Sequence, residues 1–181
     1  GFPAGRYDPE KKEKPVLLVG INSDFHRQVT DVVVKTLEQL GIRVDRQEYK
    51  ANEVQALAGD PQSKIAVLPN SAGCWLYPDA ASLLPPMVDG RLITEASNRN
   101  TSLLNDAKVN SLLDQALAAS GTQRADLWAQ TDEAILDLAP VVPWLWERVP
   151  SLISKRVVGF QYLLATTSID LAVVAVKQPA A

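Results

Sequence analysis

One cysteine, one histidine and one methionine in 181 residues leave little material for several kinds of chemistry. Cys74 has no intrachain partner, so there is no disulfide framework, and without a second cysteine or a paired histidine no metal site can be assembled. The redox compartment therefore cannot be read from cysteine usage. General base work by His26 would need a positioned nucleophile and an orienting acid, which spacing does not supply. His26 reads as a surface or helix-stripe residue. Long hydrophobic runs are missing too: the apolar stretches at 15–20 and 171–176 fall far short of the roughly 18 residues that span a bilayer. Charge of one sign is also absent, since 18 basic and 21 acidic residues are scattered along the chain, with both signs even in the dense cluster at 10–14. This excludes a nucleic-acid surface. No internal repeat is visible.

What is present suits a globular α/β chain, since 46% hydrophobic composition can bury a core at this length. Residues 1–14 are rich in glycine, proline and charge without an apolar period, so they read as a leading segment before an ordered region at 15–181. The opening Gly1-Phe2-Pro3-Ala4-Gly5 is neither an initiator methionine nor a signal sequence, and the expectation is an excised piece of a longer protein. Pro15-Val16-Leu17-Leu18-Val19-Gly20 suits a strand buried on both faces. Asn22 and Ser23 are good N-cap residues, and Phe25, Val29, Val32, Val33, Leu37 and Leu40 then trace an apolar helical stripe that Gly41 stops. Ile42-Arg43-Val44-Asp45-Arg46 alternates as a strand, which predicts a strand, a helix and a parallel strand joined by a right-handed crossover.

Further along, a short helix is expected from Glu53 to Leu57, and Lys64-Ile65-Ala66-Val67-Leu68-Pro69 offers a third strand ended by its proline. Residues 70–103 are irregular and read as functional loop territory. Val109, Leu112, Leu113, Ala116 and Leu117 mark a helix closed by Ser120 and Gly121. A second helix, capped by Thr122, carries Trp128, Thr131, Ile135 and Leu136 inward until Pro140, so the two form a hairpin. Val141 to Trp146 can run extended, Val157 and Val158 offer a short strand, and Ile169 to Val176 a final one.

Few residues point to chemistry. Gly20-Ile21-Asn22-Ser23 joins a strand to a helix, where free N–H groups can hold an anion, yet it lacks the spacing of a dinucleotide or phosphate loop and reads as a capped turn. Asp132, Glu133 and Asp137 read as a solvated helix face. Asn100-Thr101-Ser102 spells a glycosylation sequon. Cys74-Trp75-Leu76-Tyr77-Pro78-Asp79 is more informative, because large amphipathic rings beside a turn former are favoured at binding sites. Core packing and ligand contact both remain open for Trp75, and packing suits Tyr77 somewhat better. Trp144 and Trp146, two apart in an extended segment, share a face that suits packing.

Taken in order, these segments resemble the later part of solute-binding family 5, the dipeptide-, oligopeptide- and nickel-binding proteins of ABC importers. Tyr7-Asp8-Pro9-Glu10-Lys11 resembles the family's Tyr-Asp-Pro-Glu-Lys-Ala, without its helical continuation. Leu37 to Val44 resembles Leu-x-x-Gly-Ile-x-Val, and Gly73 to Asp79 imperfectly resembles Gly-Trp-x-x-Asp-Tyr-Pro-Asp. Asn100, the helix from Lys108 to Ala116, Gln123-Arg124-Ala125-Asp126-Leu127-Trp128, Ala139-Pro140-Val141-Val142-Pro143 and Val157-Val158-Gly159 resemble later landmarks.

The resemblance implies an α/β fold, lobe two of a type II periplasmic-binding-protein architecture, with a strand-helix-strand crossover unit, a helical hairpin and C-terminal strands. It implies a non-enzymatic, extracytoplasmic protein that captures a small solute or peptide between two lobes. Its partners would be ABC permease subunits and the missing N-terminal lobe of the same protein, its only membrane tie would be a lipid anchor outside this piece, and no cofactor is called for. Gly73, Cys74, Trp75, Leu76 and Tyr77 become the ligand-binding candidates. Peptide-binding members place an acidic residue before the tyrosine to pair with the ligand's α-amino group, and here that position is Leu76. A buried ammonium without its carboxylate loses several kcal/mol, which favours an uncharged solute such as a sugar or glycolipid. The alternatives are a regulatory or scaffolding lipoprotein of the same fold and, further off, a small α/β hydrolase.

Overall fold

Six residues without a polar side chain, Val16–Ile21, form strand β1. Helix α1, Asp24–Gln39, follows from an N-cap at Ser23, and strand β2, Val44–Tyr49, lies parallel to β1, pairing Val16 with Val44 through to Ile21 with Tyr49. The computed structural model describes residues 14–69, 76–144, 152–163 and 168–177. The Tyr7 to Lys11 landmark, Gly73, Cys74, Trp75 and Trp146 lie outside these. The chain divides into two compact units, one within Gly1–Ala72 and Gly90–Leu103, the other within Gly73–Asp89 and Leu104–Ala181.

In the first unit α1 stops because Gly41 takes φ 83°, a region that strains any residue with a Cβ. The Gly41 N–H donates to the Glu38 carbonyl at 2.9 Å and the Ile42 N–H to the Leu37 carbonyl at 3.0 Å, the paired bonds of a Schellman stop. Ile42 is therefore used in ending the helix, the Arg43 carbonyl already accepts from the Val16 N–H of β1 at 2.9 Å, and the second strand starts at Val44, later than the alternation from Ile42 predicts. The face of α1 is also rotated from the expected stripe. Val29 and Thr30 are buried and Val33, Val34 and Leu37 half-buried, while Phe25, Val32 and Leu40 are exposed. Gly20 sets this rotation: a Cβ on it would stand 2.9 Å from Thr30 Oγ1, so the missing side chain admits the helix there.

Helix α2, Ala51–Ala58, lies where a short helix was expected. The third strand shrinks to one parallel bridge, Leu18 to Val67, held by Ala66 N–H to Leu17 O at 2.9 Å and Val19 N–H to Val67 O at 3.1 Å. Pro69 has no N–H with which to extend it.

The second unit is built on a helical hairpin. Short helix α3, Leu84–Val88, opens with prolines in its first turn, where their missing N–H groups cost nothing. Helix α4, Ala107–Ala118, is capped by Asp106 Oδ1, which accepts from the N–H groups of Lys108 and Val109 at 2.9 and 3.0 Å. Helix α5 runs Gly121–Leu138 from an N-cap at Ser120, so Thr122 sits inside the helix and does not cap it. Val88, Val109, Leu113, Ala116, Trp128, Ala134 and Ile135 form the core. Thr131 joins this layer fully buried because its Oγ1 donates to the Leu127 carbonyl at 2.7 Å. Leu136, expected inside, is exposed, and Ala134 fills the inner position. With Trp128, Thr131 and Ile135 inward, residue 136 is turned about 100° away along the helix.

Among the described residues the C-terminal part contains four two-residue strands: β3, Val157–Val158; β4, Tyr162–Leu163; β5, Ser168–Ile169; and β6, Ala175–Val176. Antiparallel pairs form between β3 and β6 and between β4 and β5. The single strand expected from Ile169 to Val176 is broken because Asp170 Oδ1 accepts from the Ala172 N–H at 2.9 Å, turning the chain. Gly159 carries φ 71°, and a Cβ there would fall 2.0 Å from the Val173 carbonyl, so no other residue fits at this crossing.

The core assignment has a direct test. Leu113→Ala should cost about 3 kcal/mol in urea unfolding, as fully buried leucines do. Leu136→Ala should stay within about 0.5 kcal/mol. Equal costs would mean that the inner face of the hairpin is misassigned.

Candidate functional site

Of the five ligand-binding candidates, Leu76 and Tyr77 are described, and both side chains face solvent, 62% and 50% exposed. Their backbone is held in a closed turn. The Leu76 N–H donates to Ser82 Oγ at 3.4 Å, the Ser82 hydroxyl donates to the Tyr77 carbonyl at 3.0 Å, and the Asp79 N–H donates to the same carbonyl at 2.7 Å. Asp79 caps the 3-10 turn Ala80–Ser82, accepting from the Ala81 N–H at 2.8 Å. This is the capping role that its position before Ala80 predicts.

Asp79 has a second partner that sequence spacing does not reveal. Arg124, in the first turn of α5, donates from Nε to Asp79 Oδ2 at 2.8 Å and from Nη2 to Asp79 Oδ1 at 2.9 Å, a two-pronged pair. Its Nη1 donates to the carbonyls of Ala116 at 2.6 Å and Leu117 at 3.1 Å, near the end of α4. The guanidinium lies 5.3 Å from the centre of the Trp128 ring. Arg124 first, then the Ala81 N–H, hold the Asp79 carboxyl below the usual aspartate range. The Trp128 indole N–H adds a small push in the same direction, although it is buried without a hydrogen bond of normal geometry.

His26 Nδ1 lies 2.7 Å from Ser23 Oγ, a contact that a hydrolase would need. Ser23 is the N-cap of α1, however, and among the described residues no carboxylate is hydrogen-bonded or ion-paired to His26. Around the strand ends Arg27 and Arg46 share Glu48, whose carboxyl is held low by Arg27 first and then Arg46. Asp132, Glu133 and Asp137 are exposed, as a solvated face requires. Asn100 is only 2% exposed, with Ser102 Oγ at 3.0 Å from its Oδ1, so the sequon is closed to glycosylation in the folded chain. Trp144 is 45% exposed, and Trp146, with which it was expected to share a packing face, lies outside the described residues.

Among the described residues no group of three or more histidine, cysteine, aspartate or glutamate side chains could hold a metal ion, and no helix is long and apolar enough to cross a membrane. An open groove of about 630 Å³ in the first unit is lined by Pro61, Gln62, Ile93, Thr94 and Glu95, none of them among the candidates.

No family model and no curated protein matches the chain. Solved structures do. Clavulanic acid biosynthesis oligopeptide binding protein 2 superposes with a TM-score of 0.79 at 23% identity, over 91% of this chain and 31% of that one. DppA from Helicobacter pylori, an ABC transporter-associated periplasmic binding protein in complex with peptide STSA, gives 0.65 at 16% identity, over 91% and 31%. The oligopeptide-binding protein AppA from Bacillus subtilis, in complex with a nonapeptide, gives 0.57 at 18%, over 75% and 26%. The chain therefore has the α/β fold of part of a periplasmic oligopeptide-binding protein, as its resemblance to those proteins implies. It spans less than a third of the length of the structures it matches.

The Asp79 pair gives a pH prediction. A carboxyl whose folded pKa is depressed stabilises the fold above its unfolded value, about 3.9, and that contribution is lost as pH falls through the lower folded value. Wild type should thus be more stable than Asp79→Asn at pH 7, with the two melting curves converging below about pH 4. Glu48 shifts in the same direction but is present in both proteins, so the difference isolates Asp79. A constant gap down to pH 2 would contradict the assignment.

Proposed function

We propose that this chain is the C-terminal lobe of an extracytoplasmic solute-binding protein of family 5, working with an ABC importer. The observation that carries this reading is the superposition over 91% of the chain on an oligopeptide-binding protein, with sequence landmarks in the family's order. In this reading residues 15–181 follow a leading segment, 1–14, and belong to one lobe of a longer two-lobed protein. The two lobes close on the solute by hinge motion, and permease subunits then receive it. The protein acts outside the cytoplasmic membrane, held there by a lipid anchor, and transforms nothing.

Gly73, Cys74, Trp75, Leu76 and Tyr77 form this lobe's share of the solute wall. The projection of Leu76 and Tyr77 into solvent from a fixed turn supports that role. A leucine and a phenol offer an apolar and aromatic surface with no fixed charge, which suits a sugar ring or a glycolipid head group. The peptides in the AppA and DppA complexes argue for the other class of ligand. A regulatory or scaffolding role is favoured by a different observation: Leu152 and Leu171 are strongly exposed beside an apolar groove of about 180 Å³ that also takes in Ile153, Val157 and Phe160.

A thermal-shift screen of the two-lobed protein separates these readings, since a ligand that binds only the native state raises the melting temperature by mass action. Oligosaccharides or glycolipid head groups should shift wild type and peptides should not, while Leu76→Asp should gain a response to peptides. Peptide shifts in wild type would overturn the uncharged-solute reading. No shift from any class would favour the scaffold.

A further inference from the structure

We propose that Arg124 is a positioning residue for the solute wall: acting through Asp79, it fixes the turn from which Leu76 and Tyr77 project. The inference rests on the solute-wall reading of those two side chains, and it adds a residue that touches no solute. The turn itself is too small to hold its own shape. Leu76 and Tyr77 are exposed and bury little, and the local bonds run through one Ser82 hydroxyl and the Asp79 backbone. The strongest tie leaving the turn is the carboxylate of Asp79, bound on both oxygens by the Arg124 fork.

Arg124 in turn has three anchors of different kinds. It donates to the carbonyls of Ala116, Leu117 and Ala119, which α4 leaves without helical partners. A cation is also favoured there by the helix dipole. The guanidinium sits near the face of Trp128, a member of the hairpin core. Nε and Nη2 thus face the turn while Nη1 faces the helix end, an arrangement only a planar, five-donor group can satisfy at once. The orientation of the solute wall is set by the hairpin, 45 residues further along the chain.

The test compares the intact two-lobed protein with Arg124→Gln and Arg124→Lys. Lysine keeps the charge and a bond to the helix end but loses the fork. In hydrogen-exchange mass spectrometry, segment 76–82 should exchange roughly tenfold faster in Arg124→Gln, with a smaller rise in Arg124→Lys and no change in α1. Binding is read with two probes, maltotriose and the peptide Ser-Thr-Ser-Ala. Whichever raises the wild-type melting temperature should bind about tenfold more weakly to Arg124→Gln, with Arg124→Lys between the two.

Unchanged exchange at 76–82, or equal acceleration everywhere, would overturn the proposal whatever binds. Faster exchange with unaltered probe affinity would overturn the positioning role while leaving the solute reading intact. If neither these probes nor any class in the thermal-shift screen shifts wild type, the solute reading fails and the positioning role fails with it, and the exchange data alone then show a structural clamp.

Discussion

The contact between the Arg124 guanidinium and the Asp79 carboxylate is the constraint on which the second unit depends. A charge pair at a protein surface contributes little when both partners are free to move in water. Here the side chains are only 21% and 30% exposed, both carboxylate oxygens are engaged, and the remaining nitrogen of the guanidinium is held by helix-end carbonyls. The geometry is therefore fixed before the pair forms, and less side-chain entropy is lost in making it. One side chain closes three separate needs: the carbonyls at the end of α4, the charge of Asp79, and the lateral position of the 76–79 turn.

The first unit solves a different problem. A parallel strand is ordinarily covered on both faces, and β1 meets that expectation, with Leu18 and Val19 buried. Strand β2 is mostly polar, and on its α1 side Arg46 and Glu48 replace an apolar face. They are held by charge: Arg46 pairs with Asp31 of α1, and Glu48 is shared by Arg46 and Arg27. Asn22 joins by accepting from Arg27. The same stretch of helix is thus held to β2 by the ion pairs of Arg27 and Asp31 and to β1 by Thr30 packed against Gly20.

These two devices explain what the sequence could and could not reveal. Local rules sufficed where a residue acts on its neighbours: the apolar run of β1, the Ser23 cap, the Gly41 stop, the Asp79 cap and the hairpin from Val109 to Ile135. They fell short where the deciding partner is distant. The rotation of α1 follows from Gly20 opposite Thr30, the loss of the third strand from one bridge partner and Pro69, and the broken final strand from Asp170 capping its own turn. Family order marked Gln123-Arg124 as a landmark without saying what the arginine binds. Its signal was a cation one turn into a helix that follows another helix's end, with an unpaired aspartate elsewhere, and only the fold brings those together. Tyr77 was legible as a candidate because it is an amphipathic ring beside a turn former, and Leu76 because of its place in the resembled motif, whereas their exposure belongs to the fold.

The most direct test of this account is a double-mutant cycle on the pair, with Asp79→Asn, Arg124→Gln and the double variant compared with wild type by urea unfolding. If the fork ties the turn to the hairpin, the double variant should lose markedly less than the two single losses added together, because each single change already breaks the same bonds. Losses that simply add would mean the two residues act independently and would contradict the account.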